Sequence, residues 1–237
     1  MSALDSLTAP FSGASGAGDL GRYAGLVDVS LARAWVDGWA LSRGAAPPQE
    51  IDGGLLIDVG LPSHVARYVL FEPDEARVRR LTATITAPNT WIKTFVGPET
   101  LSSWIAEGTA WRVDNPVFLM STELRPAADR PAPEGYELRM WSRHGITKAL
   151  IVAEDGSFAA RAQTAAADDA YTVVFDMVET AAEHQRRGLG RWAMTALAQA
   201  AVARGAGTGV LAATTEGRAL YEALGWSVAA PFGGLVL

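Results

Sequence analysis

The stretch Gln185-Arg186-Arg187-Gly188-Leu189-Gly190 lies between a strand-like run at 171–180 and an amphipathic helical run at 189–204. Glycines at 188 and 190 let the backbone approach a ligand with no side chain in the way. The first turn of the following helix has unpaired N–H groups and a partial positive charge, which suit a phosphate or pyrophosphate. Arg186, Arg187 and Arg191 add mobile positive charge around the same turn. Taken alone, the motif says only that an anion can sit at a helix N-terminus, and a basic, solvated helix start fits it equally well.

Working outward, the helix carries Leu189, Trp192, Ala193, Ala196, Leu197 and Ala200 on one stripe and ends at Gly205. Strand 210–213, a short helix at 216–224 closed by Gly225, and a strand region from Trp226 follow. Upstream, 136–141, 147–154, 157–164 and 171–180 read as strands, with Asp155-Gly156 a hairpin turn between the middle two. Pro126, Pro131 and Pro133 mark a linker between Arg125 and Gly135. Before it, 27–42 reads as a helix, with Leu31, Ala34, Trp35 and Trp39 at helical spacing, stopped by Gly44 and Pro47-Pro48. Strand-like runs at 54–59, 65–71, 90–96 and 117–124 alternate with short helices near 74–83 and after Pro98. Residues 9–21, rich in small residues, read as a loose arm.

Composition narrows the chemistry. The chain has 237 residues, no cysteine, three histidines and a formal net charge of −6. Disulfides, thiolate metal sites and a cysteine nucleophile are excluded, and His64, His144 and His184 are too scattered for a histidine-rich metal site. The charge disfavours nucleic acid and leans weakly towards a cationic small molecule. No apolar run approaches a membrane span, and no secretory signal is evident, so a cytoplasmic protein is expected, as monomer or homodimer.

The order strand, glycine loop, helix, strand, followed by Leu220-Tyr221-Glu222-Ala223-Leu224-Gly225-Trp226, resembles the GNAT acyltransferases. Their loop pattern Gln/Arg-x-x-Gly-x-Gly/Ala is met from Gln185 to Gly190. Their later Leu-Tyr-Glu-x-Leu-Gly-Phe segment is met with Trp226 in the last place. The resemblance implies a mixed α/β (α+β) fold with a central, mostly antiparallel sheet flanked by helices. It also implies N-acetyl transfer from acetyl-CoA to an amine, with no metal. By the same likeness, backbone groups of Gln185, Arg186, Arg187, Gly188, Leu189 and Gly190 hold the pyrophosphate, with Arg191 adding positive charge beside them. Val178, Glu179 and Thr180 lie where a bulged strand pairs with the pantetheine arm, and Tyr221 matches the tyrosine that meets the departing thiolate. Thr214 stands where many members have an asparagine. A thiol near pKa 8.5 and a tyrosine near 10 make outright proton donation uphill by roughly 2 kcal/mol, so a hydrogen bond from Tyr221 is the expected role.

For the base, Asp176 and Glu179 are the candidates. Strand alternation puts Asp176 on one face with Val178 and Thr180 and turns Glu179 away, unless a bulge re-aims it. The expected organisation is an arm at 1–22, a smaller degenerate GNAT-like domain at 23–125 and the acyltransferase domain at 126–237. Too few residues separate Trp141 from Thr147 for the two helices that usually wall the acceptor pocket. The front half, through Trp35 and Trp39, is expected to supply that wall. Two other readings remain: a non-catalytic acyl-CoA-binding protein, and a dinucleotide-binding oxidoreductase on Gly188-Leu189-Gly190-Arg191-Trp192-Ala193. The latter is opposed by the long gap between strand and first glycine.

Overall fold

The computed structural model describes residues 27–126, 131–166 and 170–237. The arm expected at 1–22 and part of the expected linker lie outside them. The elements are α1 (Val29–Arg43), β1 (Gln49–Ile51), β2 (Gly54–Leu61), β3 (His64–Leu70), α2 (Glu75–Thr84), β4 (Thr90–Thr94), α3 (Pro98–Trp104), β5 (Arg112–Val113) and β6 (Val117–Glu123). They continue with β7 (Tyr136–Arg143), β8 (Ile146–Ala153), β9 (Phe158–Ala165), β10 (Thr172–Thr180), α4 (Leu189–Ala203), β11 (Thr208–Thr214), α5 (Thr215–Glu222), β12 (Ser227–Pro231) and β13 (Gly233–Val236). A 3₁₀ turn at Ala182–His184 precedes α4. The architecture is mixed α/β, with two sheets flanked by helices.

The front sheet runs β1-β2-β3-β4-β13-β5 and the back sheet β12-β6-β11-β10-β9-β8-β7. Both have the same plan. Antiparallel strands lead to one parallel pair joined through a helix, β3–β4 in front and β10–β11 behind. An antiparallel strand from the other half then inserts beside that pair. β6 pairs with β11 and β12, and β13 pairs with β4 and β5. The halves therefore exchange strands across the boundary expected at 125/126. The strand at 117–123 belongs to the back sheet, and the last strand of the chain belongs to the front one. Alternation allows this, because it reports that one face is buried but not which neighbour covers an edge.

Three apolar layers hold the sheets. One face of the back sheet packs on α4 and α5 through Phe118, Met120, Val173, Phe175, Leu197 and Leu211. Its other face, through Leu119, Val174 and Val210, meets α1 and the inner face of the front sheet. The outer face of the front sheet packs on α2 and α3 through Leu70, Val78, Ile92 and Leu101. The helix α1 thus lies between the sheets. Asp28 caps it, accepting from the N–H groups of Ser30 and Leu31. Gly38 lets it settle on β10, since a Cβ there would clash with Cγ2 of Val174.

This position corrects the expected role of two tryptophans. Trp35 and Trp39 are 1% and 4% exposed and belong to the layer between the sheets, so they do not line an open wall. The helix that carries them packs on β9 and β10 and reaches the β7–β8 turn through Leu41. That connection is a two-residue turn, His144-Gly145, both at positive φ, as the sequence spacing requires.

Candidate active site

The parallel pair β10–β11 is joined only at its start. Thr172, Val173 and Val174 face Thr208, Gly209 and Val210. Both strands continue, to Thr180 and Thr214, without pairing, so a slot opens between them. The cause is visible on the other edge of β10. Its register against β9 shifts between Asp176 and Glu179, and Met177 takes φ 56° at the irregularity. Backbone groups of β10 beyond Val174 therefore face the slot rather than a neighbouring strand. The equivalent front pair, β3–β4, stays in register from Ala66–Thr90 to Leu70–Thr94 and leaves no slot.

The bulge also changes which side chains share a face. Asp176 lies opposite Gln163 and Glu179 opposite Arg161, and Gln163 and Arg161 are two apart on regular β9. Asp176 and Glu179 therefore project from the same face of the sheet, the one that α1 covers. Simple alternation separated them; the extra residue brings them together, while Val178 packs towards the opposite layer.

At the mouth of the slot stands the N-terminus of α4. Gly188 is its N-cap at φ 79°, no side chain caps the turn among the described residues, and the first turn carries no acid. The opening amides are left to an outside acceptor. Gly190 sits close under the site: a Cβ there would lie 3.4 Å from Leu220 and 3.7 Å from Thr180 Oγ1. The front half offers a contrast. In α2, Asp74 accepts from the N–H of Arg77 and Glu75 fills the first turn, so that helix start is satisfied by its own acids.

Of the arginines beside the loop, Arg187 donates to the Tyr136 hydroxyl at 2.8 Å, and that hydroxyl lies 3.0 Å from Nδ1 of His184. Arg191 donates to the Ala223 carbonyl at 3.3 Å. Arg186 adopts φ 59° on the loop. Gln185 reaches the Thr180 carbonyl at 3.5 Å. Thr214 uses its hydroxyl as the N-cap of α5, accepting from Gly217 N–H at 3.1 Å. What it offers a ligand is therefore its backbone and not an unengaged side chain.

Tyr221, on α5, is 8% exposed and packs beside Trp226, with ring centroids 6.2 Å apart. Burial, and then the Asp176 carboxylate, push its phenol up to about 12. A neutral, protonated hydroxyl is the form this environment keeps.

The two acids differ in their partners. Asp176 accepts from Arg43 Nε at 2.7 Å, Arg43 Nη2 at 2.9 Å and Ser42 Oγ at 2.7 Å. Gln163 in turn holds Ser42, through its carbonyl at 2.9 Å and its hydroxyl at 2.7 Å. Burial pushes the Asp176 carboxyl up, but the Arg43 hydrogen bonds and charge, with Ser42, more than offset this and leave it below its ordinary value. Glu179 pairs with Arg161 at 2.7 Å and both side chains remain well exposed, 39% and 38%. Arg43, Tyr136 and Arg161 were absent from the sequence reading, because pairing across such separations leaves no local mark.

Two cavities elsewhere, one beside Tyr68 and Leu81 and one beside Thr147 and Arg204, include none of Asp176, Glu179, Thr214, Tyr221 or residues 185–191. Among the described residues no cluster of acids and histidines has metal-binding geometry, and no helix is long and apolar enough to cross a membrane.

Residues 117–226 match the acetyltransferase (GNAT) family. That span begins at β6, the strand donated to the back sheet, and ends just after α5. Among solved structures, the fold is similar to a GCN5-related N-acetyltransferase from Kribbella flavida, at TM-score 0.60 and 19% identity, over 87% of this chain and 94% of that one. It is also similar to a GCN5-related N-acetyltransferase from Sphaerobacter thermophilus, at TM-score 0.53 and 12% identity, over 77% and 76% of the two chains. A third is an acetyltransferase of the GNAT family from Novosphingobium aromaticivorans, at 0.52 and 18%, over 76% and 86%. At such identities the likeness is one of fold. No curated protein matches the chain.

Proposed function

Because this chain carries a GNAT acetyltransferase domain, we propose that it transfers an acetyl group from acetyl-CoA to the amine of a small-molecule acceptor. The observation that carries this reading is the coincidence of the β10–β11 slot with an uncapped helix start at its mouth. The amides from Gln185 to Arg191 receive the pyrophosphate of acetyl-CoA. Its pantetheine arm lies along β10, where Val178, Glu179 and Thr180 present backbone groups with no partner strand on the slot side. An N–H there polarises the thioester carbonyl.

In the reaction, the acceptor arrives as an ammonium ion and must lose a proton, at a cost of roughly 4–5 kcal/mol for a pKa near 10.4 at neutral pH. The base moves to Glu179. Asp176 is the other candidate, but its oxygens are taken by Arg43 and Ser42 and its basicity is lowered. Glu179 lies on the same face, is reached by water, and gives up only an exposed ion pair. The neutral nitrogen attacks the carbonyl carbon, the C–S bond breaks, and the second nitrogen proton passes to the thiolate through water. Tyr221 hydrogen-bonds the leaving sulfur. With its phenol near 12 and a thiol near 8.5, outright transfer is uphill by about 5 kcal/mol, so Tyr221 keeps its proton.

The test is release of free thiol from acetyl-CoA across a panel of amines, aminoglycosides, amino acids and peptides, with the acetylated product identified by mass. Amine-dependent release supports the reading. Tight acetyl-CoA binding with only slow hydrolysis in every case would leave a binding protein instead.

A further inference from the structure

Arg67 stands in the middle of β3, beside Trp91 of β4 and Ile57 of β2, on the face that looks between the two sheets. It is largely buried, yet solvent still reaches part of it. Its guanidinium lies 4.0 Å from the centroid of the Trp39 ring and 6.0 Å from that of Trp35. Among the described residues it has no ion pair, and its Nε is buried with no hydrogen-bond partner. The neighbouring cations are provided for: Arg43 has Asp176, and Lys93 has Asp114. Arg67 has rings and no carboxylate.

Burial, and then the nearby Arg43, push Arg67 down to about 9, with Asp114 and Asp176 acting in the opposite sense. It is still a cation at neutral pH. A guanidinium held this way gives up hydration with no carboxylate bonded to it, and the cation–π contact offsets only part of that cost. Beside it, the Nε2 of His64 is also buried without a partner, its ring 5.6 Å from Trp39 and 4.3 Å from Trp91. Two polar groups without partners thus meet at one aromatic shelf.

The shelf is joined to the reaction slot through Arg43. Its guanidinium lies 5.5 Å from the centroid of the Trp39 ring and pairs with Asp176, which sits directly before the bulge that opens the slot.

We propose that the acetyl acceptor carries a carboxylate or phosphate, and that Arg67 binds it between the two sheets while the amine points towards the bulge. The proposal rests on the acetyl-transfer reading and narrows its substrate class to amines with an acid group. A planar, five-donor fork suits such an anion, and Trp39 fixes its plane. An acid at Arg67 also accounts for a largely buried cation that no carboxylate among the described residues pairs with directly.

The experiment uses the full chain with coenzyme A present and two matched pairs of probes: β-alanine against β-alaninamide, and phosphoethanolamine against ethanolamine. Binding is measured by calorimetry and acetylation by free-thiol release from acetyl-CoA. At least one acid-bearing member should bind 10-fold or more tightly than its uncharged counterpart. Arg67→Met should erase that preference, keep the affinity for coenzyme A within twofold, and melt no lower than the parent. Arg67→Lys, which keeps the charge without the fork, should retain part of the preference and serves if the Met variant does not fold. Equal binding of both members of each pair, no binding by any of the four, or a preference that survives in both variants overturns the proposal. Acid-selective binding without acetyl transfer to any probe would sink the reading of function and leave the Arg67 site standing.

Discussion

Asp176 on β10 accepts both Nε and Nη2 of Arg43, 133 residues earlier in the chain, and so fastens the end of α1 to the strand that carries the bulge. The pair is largely buried, with side-chain exposures of 27% for Arg43 and 13% for Asp176. Removing one partner strands the other charge. Asp176→Asn is expected to cost about 3 kcal/mol in urea unfolding, with Arg43→Gln similar and the double variant recovering part of the sum. The sign with pH follows from the lowered carboxyl. The folded chain binds this proton less tightly than the unfolded one, so the contribution is present above the ordinary carboxylate range and fades as pH falls through the folded value. The gap between parent and Asp176→Asn should be full at pH 7 and close below about pH 4. A gap that widened in acid would show that the pair does not hold in solution.

Tyr221 is expected to act as a hydrogen-bond donor that never ionises in the working range. Tyr221→Phe should lower kcat by about 10- to 100-fold with KM for acetyl-CoA little changed, because the contact matters when sulfur becomes anionic. The ring keeps its place beside Trp226, so the melting temperature should move by only a few degrees. With the phenol pushed up to about 12, no alkaline limb from this residue should appear in the parent's profile below about pH 11. An unchanged kcat in the Phe variant removes Tyr221 from the reaction.

The start of α4 can be tested with a fixed negative charge. Gly188→Asp places a carboxylate beside the open amides, and aspartate tolerates the positive φ of that position better than most residues. The acid should repel the pyrophosphate. Acetyl-CoA affinity is expected to fall 10-fold or more, with the fold retained by circular dichroism. Unchanged affinity would mean that the diphosphate is held elsewhere.

Much of this site is readable in the sequence because it is made of backbone. Glycines at 188 and 190, ahead of a helical stripe, state where a chain can approach an anion, and no distant residue is needed to see it. The bulge is different. Met177 takes positive φ without being glycine, so nothing local announces it, and only the resemblance pointed to a splayed strand. The exchange of β6 and β13 was hidden for another reason: alternation is the same whichever sheet receives a strand. Arg67 did leave a signal that was passed over. It occupies the same face as Val65, Val69 and Phe71, where an inward charge has to be explained. Lys93, facing the same way between Trp91 and Phe95, is its counterpart with a partner provided by Asp114.

Glu179 owes its candidacy to the bulge, which turns it onto the face of Asp176. Its pair with Arg161 is exposed, so Glu179→Gln should leave the melting temperature nearly unchanged. If Glu179 takes the ammonium proton, the variant should lose about 10- to 100-fold in kcat/KM at pH 7. The deficit should shrink at alkaline pH, where more of the amine is already neutral and needs no base. Asp176→Asn should behave in the opposite way, lowering stability at neutral pH without reshaping the profile of the folded enzyme. A Gln variant that kept both its kcat/KM and the parent's pH profile would leave deprotonation to water alone, with Glu179 contributing only its backbone to the slot.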